Sequence, residues 1–214
     1  MSAPLRVAVV DYGAGNLVSI RNALGLLGAD ASLALREADL DDRDVILVPG
    51  VGASAPAMAR LRRRGLAGPI RERVLAGAWY VGICLGMQLL FDRSQEDGAR
   101  MLGLLEGEVV ELPQAPRLPH IGWNRLEQQR QHPVLAGVAD GAPAYFVHSY
   151  APAPADPALV VAETEHGGRF ASLVAGDRMV GFQFHPERSG RDGLRMLENV
   201  LGMIAADRDR AAAA

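Results

Sequence analysis

The sequence predicts an α/β fold, a mostly parallel central sheet flanked by helices with an additional antiparallel portion. Three observations carry this. Short, β-rich apolar runs alternate with helical patterns through the first half, the arrangement that βαβ units produce. From Leu104 onward the texture changes to shorter strand-like pieces joined by proline-rich connections, which reads as antiparallel. At 214 residues and 49% hydrophobic content, the chain can bury one sizeable core. We expect a single domain over residues 1–204 and a frayed tail over 205–214.

In chain order, Leu5 to Val10 reads as the first buried strand. The turn-rich stretch Asp11-Tyr12-Gly13-Ala14-Gly15-Asn16 follows, and then Leu17, Ile20, Leu24 and Leu27 recur at helical spacing until Gly28 stops the pattern. Val45 to Val48 is a second buried strand, ended by Pro49-Gly50-Val51-Gly52. Two arginine-rich helical stretches then lead to a strand at Trp79 to Ile83, Cys84, and a helical run over Met87 to Phe91. Strands are expected at Glu108 to Leu112, Ala144 to Ser149, Ala171 to Val174 and Met179 to Phe184, and a last helix at Asp192 to Ile204.

Charge and composition exclude several classes. The 22 basic and 25 acidic residues give a net charge of −3, and all the basic residues are arginine, spread along the chain. No broad basic surface is expected, and so no nucleic-acid partner. Cys84 is the sole cysteine, which rules out an internal disulfide or a multi-cysteine metal site and fits a reducing compartment. No metal or cofactor is expected. The stretch from Met1 to Arg6 lacks a signal-type pattern, and no apolar run approaches the roughly 20 residues that span a bilayer. We therefore expect a soluble, cytoplasmic protein without a membrane partner.

The chemistry centres on Gly82-Ile83-Cys84-Leu85-Gly86. A cysteine between glycines two residues either side, after a strand and before a helix, is the cysteine counterpart of the nucleophile elbow, a sharp turn that needs side-chain-free neighbours. The unpaired N–H groups of the helix start favour negative charge on its sulfur. A thiolate nucleophile needs an acid/base partner, and His185 ends a strand two residues before Glu187, where extended backbone would put both side chains on one face so that the carboxylate orients the imidazole. Oxyanion donors are expected from the N–H of Leu85 and from the loop 49–52, which leaves a neighbouring strand at its C-terminal end. Elbow and triad alone specify a cysteine hydrolase of unknown substrate.

Together these pieces resemble the class I (triad) glutamine amidotransferases, a flavodoxin-like family. Gly82-Ile83-Cys84-Leu85-Gly86-Met87-Gln88 and Phe182-Gln183-Phe184-His185-Pro186-Glu187 match the class as a whole. Three further stretches, Asp11 to Asn16, Pro119-His120-Ile121-Gly122-Trp123-Asn124 and Tyr145-Phe146-Val147-His148-Ser149-Tyr150, resemble the glutaminase subunits of the imidazole glycerol phosphate synthases. The resemblance implies that Cys84 attacks the side-chain amide of glutamine, that His185 protonates the departing ammonia and then activates water, and that Glu187 orients His185. It implies a glutamine pocket of Gly50, Gly52, Leu85, Gln88, Glu96, His148, Ser149 and Tyr150. It also implies a heterodimer in which a (β/α)8-barrel cyclase subunit receives the ammonia, with Asn16, Trp123 and Arg188 on the interface side. The sequence departs from the family at Arg188, where lysine is usual, and at Ser54, where an aromatic commonly follows the oxyanion loop. Three alternatives remain at this level: a sister subunit serving anthranilate or pyridoxal phosphate synthesis, a peptidase or esterase-like hydrolase, and a non-catalytic interaction module.

Overall fold

The structure, a computed structural model, describes residues 3–112 and 115–213. Its first half runs β1 (Arg6–Val10), α1 (Leu17–Leu26), β2 (Asp30–Ala34), β3 (Val45–Gly50), α2 (Ser54–Arg63), α3 (Ala67–Leu75), β4 (Trp79–Cys84) and α4 (Leu85–Gln88). Short strands follow: β5 (Arg93–Ser94), β6 (Gly107–Glu111), β7 (His120–Arg125), β8 (Glu127–Gln128), β9 (Pro143–His148), β10 (Tyr150–Pro154), β11 (Val160–Glu165), β12 (Arg169–Gly176) and β13 (Met179–Phe182). The chain closes with α5 (Gly190–Ala213).

The main sheet has eight strands in the order β2-β1-β3-β4-β13-β12-β11-β8. Its first five are mutually parallel and its last three antiparallel, as the change of texture predicts. Strands β10, β6 and β5 form a second sheet, and β7 pairs with β9 in a third.

The continuous apolar runs are explained by burial on both faces of the sheet. Along β1, Val7 and Val9 pack with Ile20 and Leu24 of α1 and with Val200 and Ile204 of α5. Ala8 and Val10 point the other way, into a core with Met58 and Leu61 of α2 and Ile70 of α3. Strand β3 alternates likewise, Val45 and Leu47 against Ile46 and Val48.

The structure departs from expectation in several places, and β5, β7, β8, β10 and β11 lie where the sequence reading expects no strand. Strand β2 has no counterpart in the sequence reading: Asp-Ala-Ser-Leu-Ala is an edge strand, largely outside the core, with no continuous apolar run. The helix after Cys84 starts at Leu85 and ends at Gln88, earlier than the expected Met87 to Phe91. The final helix continues through residues 205–213, the stretch expected to fray, and Ala214 lies outside the described residues. Asp207 anchors that extension, accepting from Trp79 Nε1 at 3.0 Å and pairing with Arg178 Nε at 2.8 Å.

Parallel pairing sets the site. Gly50 of β3 lies opposite Cys84 of β4, and Phe182 of β13 lies opposite Ile83. The loop after β3, the residue ending β4 and the segment Gln183 to Glu187 therefore emerge side by side at the C-terminal edge, where open α/β sheets place their sites.

Candidate active site

Cys84 is held at φ 54°, ψ −110°, a left-handed conformation that costs a non-glycine residue energy and persists only where its surroundings impose it. The flanking glycines impose it by close approach. A Cβ on Gly86 would sit 1.7 Å from the Val48 carbonyl oxygen, and one on Gly82 would sit 2.5 Å from the Gly86 carbonyl oxygen. That same carbonyl accepts from the buried Tyr80 hydroxyl at 2.7 Å, which ties the turn to the strand beneath it.

His185 follows β13 with its backbone N–H donated to the Tyr145 carbonyl at 2.9 Å, while the Ser189 hydroxyl donates to the His185 carbonyl at 2.7 Å. Its Nδ1 lies 2.9 Å from Glu187 Oε1. The expected extended link between them is replaced by a 3-10 turn over Pro186–Arg188, because proline fixes φ and starts a turn rather than continuing the strand. The turn brings Glu187 back onto the imidazole. Burial opposes charge on His185, yet its hydrogen bonds to the Cys84 and Glu187 side chains outweigh this and push its pKa up to about 10. A thiol, an imidazole and a carboxylate in hydrogen-bonded sequence are the groups that nucleophilic acyl transfer needs.

Beside Cys84 opens a cavity of about 230 Å³ lined by Gly52, Leu85, Gln88, Glu96, His148, Ser149 and Tyr150, with Ala53, Pro119 and Val147 completing the wall. Seven of the eight expected pocket residues thus come together around the sulfur. Gly50 does not line the cavity. It lies behind it, where a Cβ would meet the Tyr12 hydroxyl at 2.1 Å. Glu96 is the carboxylate in the wall, and burial, with Asp97 nearby, raises its pKa. A larger cavity, about 820 Å³, opens beside Trp79 and Asp207 at the opposite end of β4 and contains none of these residues.

A directional hydrogen-bond chain fixes the wall at His148. The Tyr150 carbonyl can only accept, so His148 donates to it through Nδ1 at 2.9 Å and presents Nε2 as an acceptor. His120 Nδ1, 3.2 Å away, must then be the donor, leaving His120 Nε2 to accept from Asn124 Nδ2 at 3.3 Å. Both rings are neutral in this arrangement. Burial drives the pKa of His148 down to about 3 and, with His166 stacked alongside, that of His120 to about 4.

Two residues escaped the sequence reading. Gln183 is fully buried with Nε2 3.8 Å from Cys84 Sγ; it stands within the Phe182 to Glu187 stretch with no role assigned to it. Tyr12, within the turn-rich Asp11 to Asn16 stretch, is also buried, and the burial raises its phenol pKa.

Of the residues expected at an interface, Trp123 and Arg188 both lie against the Tyr145 ring. Trp123 is 58% exposed and packs edge-on to Tyr145, over whose ring the Arg188 guanidinium lies at 4.6 Å. Asn16 is exposed and caps α1, its Oδ1 accepting from Ser19 N at 3.2 Å. Ser54, in place of the usual aromatic, is fully buried at the start of α2, and its hydroxyl has no hydrogen-bond partner among the described residues.

The pattern of the family Glutamine amidotransferase class-I matches residues 8–203. The chain is 42% identical to imidazole glycerol phosphate synthase subunit HisH of Dehalococcoides mccartyi over 203 residues, 94% of this chain and 99% of that one. It is 47% identical to the subunit of the same name from Symbiobacterium thermophilum, over 91% of this chain and 92% of that one. Among solved structures, one described as a glutamine amidotransferase superposes with a TM-score of 0.75 at 22% identity, covering 93% of this chain and 98% of the other. The structure of PurLQS from Thermotoga maritima superposes at 0.74 and 22% identity, covering 94% and 99%.

Proposed function

The chain belongs to the class-I glutamine amidotransferases, and from that premise we propose that it hydrolyses glutamine to glutamate and ammonia as the glutaminase subunit of imidazole glycerol phosphate synthase. The observation that carries this reading is the strained Cys84, backed by His185 and Glu187, at the mouth of a cavity with a single carboxylate in its wall.

In the proposed sequence, Cys84 Sγ bonds to the amide carbon of glutamine, and the resulting oxyanion is met by the Leu85 N–H and donors of the loop 49–52. The C–N bond breaks as His185 protonates the departing nitrogen, releasing ammonia and leaving a thioester. His185 then takes a proton from water, whose oxygen attacks the thioester and frees glutamate and Cys84. Glu187 holds the imidazole through Nδ1 so that Nε2 faces the sulfur. Glu96 is the counter-charge for the substrate ammonium, and Ser149 serves its carboxylate.

The ammonia passes to a (β/α)8-barrel cyclase subunit, which makes imidazole glycerol phosphate and aminoimidazole carboxamide ribotide in histidine biosynthesis. The exposed face carrying Trp123, Tyr145 and Arg188 is the proposed docking side of this heterodimer, an aromatic anchor with a cation stacked on it. The cytoplasm is the proposed compartment; no helix among the described residues is long and apolar enough to cross a membrane.

A glutamine-analogue electrophile tests the reading directly. Mass spectrometry of the complex is expected to find one adduct, on Cys84, that excess glutamine prevents. No adduct with the cyclase present would count against the proposal.

A further inference from the structure

We propose that Gln183 is a further catalytic residue, whose side-chain amide donates to the Cys84 sulfur and stabilises negative charge there. The inference deepens the proposed glutaminase reading and rests on Cys84 being its nucleophile.

The orientation of the amide follows from its neighbours. The Tyr150 carbonyl accepts and cannot donate, so the Gln88 side chain must turn Nε2 toward it, at 2.8 Å. The second Gln88 N–H then reaches Gln183, 3.0 Å away, which must answer with Oε1. That leaves Gln183 Nε2 facing Cys84 Sγ at 3.8 Å. A backbone carbonyl thus sets, through two amides, the polarity of the contact on the sulfur. Gln183 has little freedom to do otherwise, being fully buried with its backbone N–H held by the Ser172 carbonyl at 2.9 Å.

The sulfur has partners of opposite kinds. The Val147 carbonyl, 3.7 Å away, takes the hydrogen of a neutral thiol and repels a thiolate. The Gln183 amide and a protonated His185 do the reverse. Without the amide, the ionised form would depend more heavily on His185, and that proton must leave for the departing nitrogen. Gln183 keeps a donor on the sulfur throughout, including when the thiolate is expelled from the tetrahedral species. The titratable groups around Cys84 are His185 with Glu187 behind it, Tyr12, and, across the cavity, His148 and Glu96.

The test is the rate at which iodoacetamide alkylates Cys84 in the full-length chain as a function of pH. Gln183→Met keeps the volume and removes the donor, and is expected to move the midpoint up by about 0.5–1 pH unit. Gln183→Glu is expected to move it further, since a carboxylate beside the sulfur opposes the thiolate. Gln88→Met leaves Gln183 in place without the group that orients it, and is expected to give a smaller shift in the same direction; it carries the test if the Gln183 variants do not fold. A packing role alone would lower the folded fraction without moving the midpoint of the native protein. Folded variants with the wild-type midpoint would overturn the assignment to Gln183 and leave Cys84 as the nucleophile. A wild-type chain that takes no glutamine-analogue adduct on Cys84, with the cyclase subunit present, would sink both readings.

Discussion

Glu187 reaches His185 through a single turn of 3-10 helix, Oε1 to Nδ1 at 2.9 Å, with its side chain almost wholly buried. Orienter and base are therefore two residues apart on one rigid turn, closed by the Ser189 hydroxyl on the His185 carbonyl. A group held this way acts by fixing the tautomer and supporting the imidazolium. Glu187→Gln keeps the shape and removes the charge, and is expected to lower kcat for glutamine by at least about 10-fold with little change in KM. Steady-state kinetics of the complex check it; an unchanged kcat would remove Glu187 from the mechanism.

The neutral His120–His148 pair makes stability depend on acid. Folded-state values of about 4 and about 3 lie below the ordinary 6.5, so under acid the unfolded chain binds protons that the folded chain refuses. Unfolding free energy is expected to be steady with respect to these groups above about pH 6.5 and to fall from there toward pH 4. Denaturant titrations across this range should show a shallower fall in His120→Phe, which removes one titrating ring.

Glycine at the elbow is required by contact. Gly86→Ala forces a carbon to within 1.7 Å of the Val48 carbonyl oxygen and is expected to destabilise the chain by at least about 3 kcal/mol. Gly25→Ala, in the last turn of α1 with open space around it, is expected to stabilise by about 0.5 kcal/mol. Thermal melts of the two variants should move in opposite directions.

How much of this was legible in the sequence depended on whether a residue's neighbours in space were also its neighbours in sequence. Strands β1, β3 and β4 could be read because burial on both faces leaves unbroken apolar runs, and the elbow because two glycines bracket one cysteine. Strand β2 could not, since an edge strand shows no such run. Likewise the polarity of Gln183 depends on Gln88 and the Tyr150 carbonyl, which only the fold brings together. The separation of Glu187 from His185 was readable, but its reach was not: an extended backbone was expected, and proline turned it into a helical turn. For Gly50, nothing in the sequence signals that the Tyr12 hydroxyl occupies the space a side chain there would need.

Trp123 is more than half exposed although it packs edge-on to Tyr145, an arrangement suited to anchoring a partner. Trp123→Ala is expected to weaken association with the cyclase subunit by about 10-fold or more while leaving the thermal melt of the isolated chain nearly unchanged. Titration calorimetry gives the affinity; an equal Kd would move the docking surface elsewhere.

The central claim, that Cys84 is the group that releases ammonia, is tested most directly by assaying the Cys84→Ala complex with two nitrogen sources. The account predicts that imidazole glycerol phosphate synthesis from glutamine is abolished while synthesis from added ammonium salt proceeds at the wild-type rate. Loss of both activities would mean that Cys84 is structural, and retention of glutamine-dependent synthesis would mean that the nucleophile is another residue.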